Sequence, residues 1–191
     1  NNDWCPTQEQ FANTSATEQF FSGQGAMFFA GSWDLVNLCS TYTDMNGKWD
    51  VAVLPKCPNP ESGDGRAVIS NSVSYATAAE GKNKDTAMDF LKFLASEEGQ
   101  KIQGESGVAI PAYNGLEDTW VNTFAEKGYD IHPENIIPMF DYSVKYVNNP
   151  SRPSWEPKVE QAVLDIYAGN TSVDDGIQNM QNIVTEAIAE E

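Results

Sequence analysis

The sequence predicts a mixed fold of the α/β or α+β class. Three observations carry this. Helix-like and strand-like segments alternate along the chain, helix outweighs strand, and 40% of the 191 residues are hydrophobic, enough for a packed core.

Each element follows from its local pattern. Thr14–Ser22 reads as a short helix stopped at Gly23, a residue that tolerates the left-handed conformation. Ala26–Ala30 is a short apolar run and predicts a buried strand. Gly31-Ser32 breaks it, and Asp34 to Thr41 predicts a helix burying Leu35, Val36 and Leu38. Trp49–Leu54 has β-branched residues and ends at Pro55, as a strand does. Lys56–Gly65, rich in Pro, Gly and Asn, is a loop. Ala67–Ser70 follows, then Val73–Ala78, where Val73, Tyr75 and Thr77 alternate with the period of a strand.

The second half is more helical. Asp85–Gln103 predicts one long helix with the stripe Ala87, Phe90, Leu91 and Leu94. Leu116–Lys127 predicts another, with Leu116, Trp120 and Phe124 at every fourth position and Gly128 beyond its end. His132–Pro153 reads as irregular. Trp155–Ala168 is a helix whose face carries Trp155, Val159, Ala162, Val163 and Ile166. Ser172-Val173-Asp174-Asp175 resembles a capping box opening a last helix to about Ala189, with the stripe Val173, Ile177, Met180, Val184 and Ile188.

Charge narrows the function. The chain has 28 acidic and 11 basic residues, a formal net charge of -17. A polyanion would be repelled, so no nucleic acid partner is expected. No run of about 18 apolar residues is present, so no transmembrane helix is expected. Cys5, Cys39 and Cys57 fit no metal spacing; one bridge plus a leftover thiol and three free thiols both remain open. The only histidine, His132, stands in a loop and reads as a surface residue, since one histidine makes no catalytic constellation. Asn59–Gly65 lacks the alternating ligands of a calcium loop. Glu97-Glu98 and Asp174-Asp175 lie near helix ends, where capping accounts for them. No catalytic residue, metal or cofactor is expected.

The tryptophans carry more information. Trp33 follows Gly31-Ser32 after an apolar run, and Trp155 opens a helix after an irregular segment. An indole face packs on the flat C–H patch of a pyranose ring. Either residue reads as such a platform or as an ordinary core anchor.

Phe20-Phe21-Ser22-Gly23-Gln24-Gly25-Ala26-Met27, followed by Gly31-Ser32-Trp33, resembles a stretch of the family 1 extracellular solute-binding proteins, the sugar-capturing components of ABC importers. Four further segments are similar to that family in the same order: Trp49–Pro55, Lys84–Gln100, Gly107–Ala112 and Gly169–Ile177. The resemblance spans nearly the whole chain. It implies a periplasmic-binding-protein-like fold of type II. Members have two α/β lobes and bind sugar in the cleft between them. Residues 1–66 and 104–191 would belong to the C-terminal lobe, and 67–103 would cross the hinge and add to the N-terminal lobe. The chain begins without Met, so it is expected to be a piece of a longer protein, with a signal or lipid anchor in the missing N-terminal part.

The resemblance also assigns roles. Trp33 would stack on sugar. Arg66, Ser70 and Asn71 would face the cleft as hydroxyl partners or form hinge hydrogen bonds. Trp155 falls near a second aromatic of relatives. Asp34 would accept a hydroxyl proton or simply start a helix. The implied function is non-catalytic carbohydrate binding by an extracellular or periplasmic monomer that delivers to an ABC transporter permease. A glycosidase and a ligand-sensing domain are the alternatives.

Overall fold

The computed structural model describes residues 6–60, 63–145 and 148–190. The chain divides into two compact units, Asn1–Phe28 with Val147–Glu191, and Phe29–Tyr146.

The first unit is helical. Helices α1 (Gln8–Asn13) and α2 (Ala16–Phe21) each open with a complete capping box, Thr7 with Gln10 and Ser15 with Glu18. These side chains satisfy donors that short helices leave open, which helps six-residue helices persist. Gly23, at φ 78°, follows the end of α2. Phe20, Phe21 and Phe28 form an aromatic cluster, with Phe20 5.0 Å from each of the other rings. Helix α7 (Arg152–Ala168) and helix α8 (Val173–Ala189) form the main hairpin of this unit. Gly169, at φ 75°, ends α7, and Ser172 caps α8 by accepting from the Asp175 N–H.

The expected face of α7 is buried or half-buried, with Trp155 and Ala162 deepest. The face of α8 is rotated from the expected stripe. Val173, Ile177 and Ile188 are exposed, while Gly176 is buried and Met180, Ile183, Val184 and Ala187 are half-buried. Gly176 is part of that face: a Cβ there would overlap the Ile166 side chain of α7, so the residue without one permits close packing.

The second unit is built on α3 (Leu35–Thr41), α5 (Glu97–Ser106) and α6 (Glu117–Glu126). Trp120 and Phe124 are fully buried, with ring centroids 5.0 Å apart at 75°. Leu35, Leu38 and Cys39 are buried on α3. Burial pushes the Cys39 thiol up to about 11, so it behaves as a core residue. Helix α5 has little apolar surface and packs instead through small and satisfied residues. A Cβ on Gly104 would overlap Thr119 of α6. Buried Gln100 donates to the Leu94 carbonyl and accepts from the Ala112 N–H, both at 2.8 Å, so no orphan polar atom offsets the packing.

The long helix expected over Asp85–Gln103 is two helices, α4 (Lys84–Leu94) and α5. Ser96 accepts from the Gly99 N–H, and Glu97 and Glu98 fill the first turn of the new helix. That is a strong start signal, and it overrides the continuing periodicity.

The sheet is small. Strand β1 (Val68–Ser70) pairs in parallel with β2 (Ser143–Lys145), Ile69 opposite Val144. Strand β2 lies in the segment expected to be irregular. Conversely, Ala26–Ala30, Trp49–Leu54 and Val73–Ala78 are not strands. Met27 and Phe29 are 89% and 79% exposed, the reverse of the burial expected there. These runs have strand-like composition, but none pairs with another strand among the described residues. Composition without a ladder partner does not make a strand.

Candidate functional site

Trp33 lies in a 3-10 turn, Ser32–Asp34, that leads directly into α3. The Asp34 N–H donates to the Gly31 carbonyl at 3.0 Å and closes the turn. The six-membered ring of the indole occupies the space where a Gly31 side chain would stand. Gly31 has φ -91°, so its backbone does not require glycine; the indole does. The residue is 51% exposed. The turn thus props an indole against the backbone and leaves about half of the residue open. Asp34 is half-buried and its side chain makes no helix-capping bond.

Arg66 follows a closed loop. The Cys57 N–H donates to the Gly65 carbonyl at 2.8 Å, and Gly65 at φ 80° leaves no room for a Cβ against the Cys57 carbonyl. Arg66 donates to Asp64 from its backbone N–H, at 3.1 Å, and from Nε, at 2.6 Å. Its guanidinium also lies 4.7 Å from the centre of the Tyr142 ring, a favourable cation–π position. The Arg66 backbone N–H first, then its side chain, holds the Asp64 carboxyl below the usual range, with Lys56 3.8 Å away adding to it. The arginine is thereby fixed, while its Nη groups make no hydrogen bond among the described residues. Ser70 ends β1 opposite Lys145, and Asn71 follows; both are exposed.

These five residues lie in the second unit. No hydrogen bond, ion pair or ring contact joins Trp33 to Arg66 among the described residues. Trp155 lies in the first unit, 9% exposed, its indole N–H donating to Asn149 at 3.1 Å. In this structure it is a packing anchor of α7.

Sequence reasoning missed Tyr142 and Asp64 as partners of Arg66. Asp64-Gly65-Arg66 is a readable local signal, because an Asp-Gly turn places carboxylate and guanidinium side by side. Tyr142 is too distant along the chain to leave one.

His132 is an exposed loop residue, as its position suggests, but it is paired with Asp50 at 2.6 Å. Among the described residues no group of three His, Cys, Asp or Glu could hold a metal ion. Cys39 and Cys57 are free thiols, and Cys5 lies outside the described residues. No described helix is long and apolar enough to cross a membrane.

No curated protein matches the sequence. The family model for the bacterial extracellular solute-binding protein matches residues 5–101. That stretch contains the propped indole, the Arg66 loop, Ser70 and Asn71, and it covers half of the chain. On that match, this chain belongs to the bacterial extracellular solute-binding protein family.

Proposed function

We propose that this protein captures a sugar or oligosaccharide, without catalysis, for delivery to the permease of an ABC transporter. Solute binding and an extracellular or periplasmic setting follow from the family; the carbohydrate is the finer reading. The observation that carries it is Trp33, an indole braced on one side by Gly31 and about half exposed. An open aromatic plate is what the flat C–H patch of a pyranose requires.

Elsewhere in the same unit, Arg66 supplies donors that Asp64 and Tyr142 hold in place. Asn71, Ser70 and Asp34 supply the mixed donors and acceptors that hydroxyl groups need. Trp155, expected as a second aromatic, is buried and packs α7 in this structure. The family's type II pattern is the reading for the lobes, in which residues 67–103 would pack on an N-terminal lobe. Phe90, 58% exposed, and its exposed neighbours Met88 and Phe93 supply an apolar face for such packing. Ligand binding favours the closed lobes and shifts the population toward them.

Calorimetry with a panel of oligosaccharides tests this. Trp33→Ala is expected to weaken binding by about 1–3 kcal/mol, the cost of losing a large apolar contact. Unchanged affinity in a folded variant rejects the stacking role. Release of new reducing ends from the glycans would reject the non-catalytic reading.

A further inference from the structure

The segment Asn46–Val51 is fastened to residues 128–135 almost entirely by side chains. Asn46 Nδ2 donates to the Gly128 carbonyl at 3.0 Å, and Asn46 Oδ1 accepts from the Asp130 N–H at 2.8 Å. Asp50 Oδ1 accepts from the His132 N–H at 2.8 Å, and its Oδ2 lies 2.6 Å from His132 Nδ1. Asn135 Nδ2 donates to the Val51 carbonyl at 3.0 Å. Gly47 lets the segments approach, since a Cβ there would meet the Asp130 carboxylate at 2.7 Å. A shallow cavity of about 350 Å³ lies at this seam, lined by Gly47, Lys48, Trp49, Asp50, Asp130 and His132. Water therefore reaches the one fastening that titrates near neutral pH.

We propose that the Asp50–His132 pair is a proton-controlled latch on the 46–51 segment, tight while Asp50 is ionised and His132 protonated, and loosened when His132 loses its proton. The surrounding charges favour the tight state. Asp50 faces the imidazole from one segment, and Asp130 and Glu134 flank it on its own. Lys48, the cation on the cavity wall, turns its ammonium to the Asp44 carbonyl at 2.8 Å. The hydrogen bond to Asp50, then its charge, raises His132 above the ordinary histidine range. Burial resists ionisation of Asp50, but the His132 and Val51 N–H groups and the imidazole outweigh it and lower its carboxyl. Deprotonated His132 can keep an Nδ1–H directed at Asp50, so the contact weakens by loss of charge rather than breaking. The latch is tight between the lowered Asp50 titration and the raised His132 titration. It loosens at both ends.

His132, the single histidine of this sequence, is followed through its ring resonances in an NMR titration, assigned by their loss in His132→Gln. His132 is expected to titrate above 6.5, its ordinary value, and Asp50→Asn is expected to bring it back down. Exchange protection of the Asp130 and His132 amides, corrected for intrinsic rates, is expected to fall several-fold as pH rises through that titration. In His132→Gln, which donates but cannot ionise, the protection should be flat with pH. Equal titration of His132 in wild type and Asp50→Asn overturns the proposal. So does wild-type protection that stays flat, or a His132→Gln profile that follows the wild type.

Discussion

At the scale of single residues, glycines and tryptophans set the geometry. Gly31 matters for what lies over it, the Trp33 ring. Gly31→Ala is expected to push the Trp33 indole off its support, because the new Cβ would occupy the same space. Intrinsic fluorescence should shift, and affinity for whatever ligand the intact protein binds should fall several-fold while the fold persists. A variant with unchanged emission and affinity would show that the support is dispensable. Trp120 shows the opposite use of the same residue type. It is fully buried and donates to the Gly107 carbonyl at 3.0 Å. Trp120→Ala is expected to cost about 3–5 kcal/mol, read from urea denaturation, through the cavity and the orphaned carbonyl. The sequence showed two candidate platforms, Trp33 and Trp155, with core packing open for each. Spacing alone could not rank them, since exposure depends on neighbours far along the chain.

At the scale of elements, local signals decided most helices and failed for most strands. The start of α5 is a case where one signal defeated another. Ser96 accepts from the Gly99 N–H at 3.2 Å and breaks what the apolar spacing alone would have continued. Ser96→Ala is expected to destabilise the second unit by about 1 kcal/mol in urea denaturation, the usual cost of an N-cap. Loss of only a tenth of that would mean the break is held by Gly99, where a Cβ would overlap the Phe93 carbonyl. Trp49–Leu54 had the residues of a strand, yet its Val51 backbone is bonded by the side chains of Asp50 and Asn135. The site residues divide in the same way. Asp64 beside Arg66 was readable in a turn, whereas Tyr142 and the Asp50–His132 pair meet only through the fold.

At the scale of the whole molecule, acidity is the dominant fact. With a net charge of -17, self-repulsion opposes compaction, so moderate salt is expected to raise the melting temperature. The acid limb has a defined sign. Asp64 and Glu18, held by Arg66 and Ser15, and Asp50, held by His132 and Val51 against burial, all have lowered carboxyl values. Their contributions are present above the ordinary carboxylate range and are lost as pH falls through the lowered values. Denaturant midpoints should therefore drop as pH falls below the ordinary carboxylate range and through the lowered titrations; midpoints that stay constant there would show these pairs to be energetically silent. The sequence by itself determined most of the helical segments, the charge, the family and the candidate platforms. Those follow from patterns only a few residues long, or from motifs kept in order, and neither needs distant partners. Only the tertiary structure decided which apolar runs become strands, which tryptophan stays open, and what braces Arg66. Each of those outcomes depends on groups brought together from far along the chain, where no local pattern records the meeting.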